Sequence, residues 1–162
     1  MSTLTVWKFD TTYGAEHGGQ TLRDLSGPER ESLHDAARVT WVRGTNAPTT
    51  HPMSELASDE ALGGAFWGLF FGLIFFSPLI GAAVGSAHGA LSGSLGDFGI
   101  DDTFVNRVRD TVTPGTSALF VLGSDTVVDQ VRDALRGDPP VKVLVTNLSR
   151  SQEGALREVF VS

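Results

Sequence analysis

A stretch without charged side chains, running from Ala61 to Gly96, constrains the fold of this chain more than any other feature. It contains no Asp, Glu, Lys or Arg and is rich in glycine, alanine and aromatic residues. Pro78 divides it into two arms, Ala61–Ser77 and Leu79–Leu95, each of 17 residues. A helix of that length extends about 25 Å. The pattern therefore predicts an apolar helical hairpin that must be hidden from water.

Glycine recurs at every fourth position in both arms of this hairpin. Residues four apart lie on the same face of a helix, so the spacing predicts a glycine ridge along each arm. Glycine inside a helix costs about 1 kcal/mol relative to alanine, and such a ridge needs a compensating role. Close helix–helix packing is the usual one. The residues predicted to serve helix packing and oligomerisation are Gly64, Gly68, Gly72, Gly81, Gly85, Gly89 and Gly93.

The two arms differ in the size of their side chains. The second arm is mostly small, and we expect it to be packed inside. The first arm is rich in large apolar residues, and we expect its faces to meet lipid or another subunit in part. These large residues are Phe66, Trp67, Leu69, Phe70, Phe71, Leu73, Ile74, Phe75 and Phe76.

Two environments could hide the hairpin: a lipid bilayer, or the core of a soluble homo-oligomer. The arms are at the short limit for a bilayer core of about 30 Å. The chain has no Lys or Arg between Arg43 and Arg107, so the positive-inside signal is absent. We favour insertion into the inner (cytoplasmic) membrane, with the rest of the chain in the cytoplasm. A soluble cytoplasmic protein is the alternative.

The flanking segments predict one α+β domain in two halves, residues 1–58 and 99–162, with the hairpin occupying residues 59–98. Their order of strands and helices fits a ferredoxin-like sandwich of two βαβ-like halves, interrupted by the glycine-zipper hairpin. A hairpin returns the chain to the side it left, so the halves can join. The predicted elements are strand Thr3–Phe9, helix Tyr13–Leu25 stopped by Gly27-Pro28, strand Ala36–Arg43, a short helix capped by Asp101 or Asp102, strand Ser117–Leu122, a helix capped by Ser124 or Asp125, strand Val141–Thr146 and a last helix from Ser149.

Several segments of the chain resemble a bacterial family known as domain of unknown function DUF1269, often described as a predicted membrane protein. The resemblance spans about Ser58 to Phe160, and the N-terminal third matches only in its strand–helix–strand order. It implies a glycine-zipper hairpin within an α+β domain and association with membranes. It brings no catalytic residues. The segments that carry it are Gly63–Gly68, Phe75–Gly85, Gly89–Gly93, Gly99–Asp102 and Pro114–Phe120.

Composition limits the chemistry that the chain can perform. The net charge is −7 and basic residues do not cluster, so nucleic acid is excluded as an expected partner. Cysteine is absent, which removes disulfides, thiolate metal sites and cysteine nucleophiles. No cofactor or metal site is predicted. His88 is the one ionisable side chain between Ala61 and Gly96, and it is either a buried polar site, such as a proton relay, or a neutral, hydrogen-bonded histidine.

These observations predict a non-enzymatic protein that associates with itself through a membrane-inserted glycine-zipper hairpin. Its expected partners are further copies of the same chain and, where the hairpin is inserted, membrane lipid. The alternative is a soluble homo-oligomeric ligand-binding module or enzyme, with the hairpin buried in the oligomer core. Expression without detergent separates the two hypotheses.

Overall fold

Five antiparallel strands form a single sheet, which organises the described part of the chain. The computed structural model describes residues 2–58, 61, 63–76, 100 and 102–148. The architecture is α+β, as the sequence predicted. The strands are β1 (Ser2–Phe9), β2 (Leu33–Thr40), β3 (Thr49–Pro52), β4 (Ser117–Gly123) and β5 (Lys142–Leu148).

Helices cover both faces of this sheet. A π-helical turn, Gly72–Phe76, continues the third helix, and short 3-10 turns occupy Ser54–Leu56 and Leu135–Gly137. The helices are α1 (Gly14–Arg23), α2 (Gly27–Glu31), α3 (Gly63–Phe71), α4 (Asp102–Thr111) and α5 (Val127–Ala134).

The strand order is β3-β2-β4-β1-β5, so the two halves of the chain interleave. The N-terminal strand β1 lies between β4 and β5, and Val6 pairs with both Phe120 and Leu144. All seven residues of β4 are buried, so this central strand is covered on both faces. A run of apolar residues without alternation is typical of such a strand.

One face of the sheet packs against α1 and α5. Its core includes Trp7, Leu119 and Val121, all 0% exposed. Glycines allow α1 to approach closely. A Cβ added to Gly14 would lie 2.5 Å from the Phe9 Cβ, and one added to Gly18 would lie 2.7 Å from the Leu119 Cδ1. Gly14 and Gly18 are therefore required for the close packing of α1 on the sheet.

The opposite face of the sheet packs against α3, its π-helical turn and α4. This core combines Phe66, Trp67 and Phe70 of α3 with Phe120 of β4 and Val108 of α4. The prediction that the large side chains of the first arm face lipid or another subunit is wrong for these residues. Strands β1 and β4 carry apolar side chains on both faces of the sheet. The apolar segment that contains α3 covers the face opposite α1 and α5.

Several predicted boundaries need correction. The Gly27-Pro28 pair does not simply stop α1, because Pro28 opens the short helix α2, a position where a missing N–H is tolerated. The strand predicted over Ala36–Arg43 lies three residues earlier at both ends. Thr126 rather than Ser124 or Asp125 is the N-cap of α5, and no side chain caps it. The last predicted helix and the second hairpin arm lie outside the described residues.

Candidate functional site

The outer side of α3 carries the first glycines of the predicted ridge. Gly64 and Gly68 are exposed, whereas Gly72 in the π-helical turn is buried. A Cβ added to Gly64 or Gly68 would meet no atom within 4 Å among the residues that the structure describes. We call Gly64 and Gly68 the glycine face. The other predicted packing glycines, Gly81, Gly85, Gly89 and Gly93, and the candidate polar site His88 lie outside the described residues.

The inner side of α3 is held against the sheet by aromatic contacts. Phe70 and Phe71 meet the Phe120 ring edge-on, with ring centroids 5.8 and 5.0 Å apart. Trp67 stacks on Phe71 at 5.5 Å and contacts Phe120 at 6.4 Å. Edge-to-face and offset aromatic pairs each add about 0.5–1.5 kcal/mol beyond the area that they bury. The glycine face is thus the back of a helix whose front is firmly packed.

A buried carboxylate holds the N-terminal end of α3. Asp35 of β2 is 3% exposed. Its Oδ2 accepts hydrogen bonds from the Trp67 indole Nε1 at 3.0 Å and from the Gly63 backbone N at 3.3 Å. Its Oδ1 accepts one from the Ala36 backbone N at 2.9 Å. A negative charge is favourable at a helix N-terminus, where backbone N–H groups lack helical partners.

A guanidinium group holds the other end of the same segment. Arg109 of α4 donates from Nε to the Ile74 carbonyl at 2.9 Å and from Nη2 to the Leu73 carbonyl at 2.8 Å. These carbonyls belong to the π-helical turn, where the chain leaves the arm. Basic side chains near a helix C-terminus stabilise the last carbonyls in this way. Asp35 and Arg109 therefore fix the two ends of one apolar segment.

Sequence reasoning missed both anchors. Asp35 and its partners Gly63 and Trp67 are 28 and 32 residues apart in the chain, and Arg109 is 35 residues from Ile74. No periodicity connects positions so far apart. The one available signal was a carboxylate directly before the predicted strand Ala36–Arg43, since acidic residues are depleted in strands.

The clefts of the described surface are open and have mixed linings. One of about 390 Å³ lies between α2 and the 3-10 turn Ser54–Leu56, lined in part by Arg30, Glu31, His34 and Ser58. No three His, Asp or Glu side chains of the described ranges are grouped so that they could hold a metal ion. The glycine face, rather than a cleft, is therefore the surface that the sequence pattern and the structure single out together.

Next to this cleft, Glu55 is tied to two arginines. Its Oε1 lies 2.7 Å from the Arg23 Nη2, and its backbone carbonyl accepts a hydrogen bond from the Arg30 Nη2 at 2.7 Å. A hydrogen bond from its own backbone N–H, followed by the bond from Arg23, lowers the pKa of the Glu55 carboxyl. This exposed contact joins the end of α1 to the 3-10 turn.

Comparison with known proteins agrees with the resemblance seen in the sequence. Residues 61–161 match the family described as Protein of unknown function (DUF1269), which is more than half of the chain. The chain belongs to this family. No curated protein and no solved structure matches the chain.

The matched region begins where the apolar segment begins. It contains α3 with its glycine face, Arg109, β4 and β5, whereas Asp35 and the strands β1, β2 and β3 precede it. In this chain the N-terminal segment therefore supplies three strands, β1, β2 and β3, of the sheet on which the apolar segment packs. None of the described helices has both the length and the apolar character that crossing a bilayer requires.

Proposed function

We propose that this protein is a non-enzymatic, self-associating protein and that copies of the chain meet through glycine-bearing helix faces. The observation that carries the proposal is the position of Gly64 and Gly68. They follow the four-residue glycine period of the sequence, and they lie on the side of α3 that faces away from its own sheet. Faces without side chains let two helix backbones approach closely, and dispersion contacts then stabilise the pair.

Exposed glycine inside a helix supports a role outside the protomer. Alanine at such a position would gain roughly 0.5–1 kcal/mol of stability. Within the described structure nothing prevents that exchange at Gly68, because the space beside it is open. This surface gives up stability without a steric reason among the described residues, and a partner that needs the space explains it.

The packing of α3 supports association between protein surfaces over insertion of the whole hairpin into lipid. Phe66, Trp67, Leu69, Phe70, Phe71 and Ile74 are each at most 3% exposed on the sheet side. Burying such side chains contributes about 1.5–3 kcal/mol each. Transfer of the arm into lipid would keep these side chains out of water, but it would expose the sheet face beneath them, which includes Val6, Val39 and Phe120, at a similar cost for each side chain. In our proposal the first arm stays on the sheet.

For the domain itself we propose the ferredoxin-like arrangement. Apart from the short edge strand β3, the strand order is β2-β4-β1-β5, and each of the pairs β1/β2 and β4/β5 is linked through a helix on the same face. This order and the antiparallel pairing support a split βαβ topology. The α3 and α4 layer on the opposite face would be the addition that brings the glycine face.

The test compares the wild-type chain with the double variant Gly85→Leu/Gly89→Leu, both expressed without detergent. Sizing and native mass measurement then give the number of copies per particle. We expect the wild type to form a defined oligomer and the variant, whose zipper is blocked, to form smaller particles. An unchanged oligomer in the variant would contradict the proposal.

Fractionation of the native protein separates this proposal from insertion into lipid. Association through protein surfaces predicts that the chain leaves the membrane pellet on washing with carbonate. Retention in the washed pellet would support the inserted hairpin instead and would contradict a first arm that stays on its sheet. A Phe70→Ala variant gives an independent control, because only the sheet-packed arm makes Phe70 essential to folding.

A further inference from the structure

A carboxylate of β2 faces an apolar layer of the molecule, next to an irregularity in the strand. Opposite Gly123 and Leu122 of β4, the chain of β2 advances from Leu33 to Asp35, so His34 is an extra residue in the ladder. A bulge of this kind re-aims the neighbouring side chain. Leu33 packs on the α1 side of the sheet, whereas Asp35 reaches α3 on the other side. The bulge places Leu33 on the α1 side, whereas Asp35 keeps the alternation that puts Ala37 and Val39 on the α3 side and so lies under Trp67.

The position is an expensive one for a carboxylate. Removing an ionised carboxyl group from water costs several kcal/mol even after the protein relaxes. Hydrogen bonds from Trp67, Gly63 and Ala36 offset that cost, and two of these three donors belong to α3. An apolar residue at position 35 would fill the same layer without the desolvation cost. The carboxylate therefore orients α3 through directional hydrogen bonds, which apolar packing alone does not do.

The hydrogen bonds to Asp35 fix the rotation of α3 about its own axis. Aromatic side chains packed on a flat sheet tolerate small rotations, whereas a hydrogen bond weakens steeply with angle. Successive helical residues are about 100° apart, so holding the Trp67 indole on Asp35 also fixes the angle of Gly68. The glycine φ of 84° at Gly63 lets its backbone N–H point to the same carboxylate.

We infer that Asp35 is a positioning residue for self-association: through Trp67 and Gly63 it fixes the rotation of α3, so that Gly64 and Gly68 face outward together. This inference rests on the proposed function, because the value of a fixed rotation lies in the surface that it presents. The partner at that surface is a second copy of this chain.

The test uses full-length Asp35→Ala and Asp35→Asn, with Phe70→Leu as the matched control. Phe70→Leu loosens the sheet side of the same helix without touching the Asp35 contacts. For each variant, hydrogen exchange of the Trp67 indole N–H reports the anchor, and sedimentation at a series of concentrations reports association. Asp35→Asn keeps the shape and one acceptor, so it serves where Asp35→Ala does not fold.

We expect Asp35→Ala to speed exchange of the Trp67 indole N–H on the order of tenfold, the effect of losing a bond to a charged acceptor. We expect its association to weaken by a similar factor, with Asp35→Asn between it and the wild type. Phe70→Leu should leave both quantities within about twofold under conditions where it is folded. Equal weakening of association by Phe70→Leu and Asp35→Ala would overturn the inference.

Failure of the proposed function gives a different result from failure of this inference. A wild type that stays monomeric at every concentration would overturn self-association and, with it, the positioning role. An oligomeric wild type whose Trp67 indole exchanges equally fast in Asp35→Ala would overturn the anchor alone and would leave the proposed function standing.

Discussion

Two helices of this protein, α1 and α3, carry glycines at close spacing and use them in opposite ways. In α1 the glycines face inward, and Gly14 and Gly18 are needed because Phe9 and Leu119 lie where a Cβ would be. In α3 the glycines face outward, and none of the residues that the structure describes fills the space beside Gly64 and Gly68. The same residue type thus serves close packing within the chain in one helix and leaves a bare surface in the other.

The difference shows that a four-residue glycine period alone does not predict on which side of a helix the packing partner lies. The period is visible in the sequence for both helices, but only the large residues between the glycines decide which side meets the sheet. In α3 the aromatic side chains pack against the sheet, so the glycines lie on the outer side of the helix. In α1 the intervening Glu16 and His17 are polar and exposed, so the glycines lie on the side that packs against the sheet.

The largest expected effect concerns the inner side of α3. Phe70→Ala should lower the free energy of unfolding by about 3–5 kcal/mol, because it leaves a cavity beside Phe120. Urea denaturation measures this change. Val42→Ala, at a side chain that is 53% exposed, is the control and should stay within about 0.5 kcal/mol. A small effect at Phe70 would mean that the first arm is not part of the core.

The next effect concerns the inward glycines of α1. Gly14→Ala should destabilise the protein by about 1–3 kcal/mol, since the new methyl group would meet the Phe9 Cβ, which cannot move without the strand. Thermal unfolding monitored by circular dichroism measures it, with Glu16→Ala on the exposed side of α1 as the control. A neutral Gly14→Ala would erase the contrast between the two helices.

The outward glycines should respond in the opposite direction. Gly68→Ala should raise the stability of the protomer by about 0.5–1 kcal/mol, because it gains helix propensity and meets no neighbour in the described structure. The measurement is urea denaturation at a protein concentration low enough to keep the chain monomeric, since association would otherwise add to stability. Destabilisation by Gly68→Ala would show that the face is already covered within the protomer.

The smallest effect compares the anchors of the two helices. The end of α1 is tied by the exposed Arg23–Glu55 pair, whereas α3 is tied by the buried Asp35. Glu55→Gln should cost only about 0.2–1 kcal/mol at neutral pH. The Glu55 pKa is lower in the folded protein, so the pair stabilises the fold above the ordinary glutamate pKa of about 4.3 and loses that effect as the pH falls below it.

Denaturation of the wild type and Glu55→Gln at pH 7 and pH 3 checks this sign. The difference between the two proteins should shrink at the lower pH, because protonation of the Glu55 carboxyl group removes the charge that Arg23 stabilises. A difference that grew on acidification would contradict the role of Arg23 as the partner that favours the charged form.

Much of the domain could be predicted from the sequence, because local patterns determine it. A run of apolar residues predicts the buried strand β4, and apolar residues at helical spacing predict the amphipathic helix α5. Prolines in the segment of β3 favour an edge position for that strand. The cover of the second sheet face could not be predicted, since a charge-free segment of aromatic residues suits lipid, another subunit or its own sheet equally well. The choice depends on the opposite face of strands that are distant in sequence.

The candidate site divides in the same way. Of the predicted glycine period, the structure leaves Gly64 and Gly68 exposed on α3, whereas Gly72 is buried in the π-helical turn. The anchors Asp35 and Arg109 were not predicted, because each joins elements about thirty residues apart through a single side chain. The bulge at His34, beside Asp35, has no signature in the local sequence either.

Sedimentation velocity of Gly68→Leu, compared with the wild type and with Gln20→Leu, tests most directly the claim that the glycine face is where copies meet. Both variants add one exposed leucine to a helix, but Gln20 lies on the exposed side of α1, away from that face. We predict that Gln20→Leu sediments as the wild-type oligomer and that Gly68→Leu sediments as a folded protomer. A Gly68→Leu chain that kept the wild-type oligomer would contradict the claim.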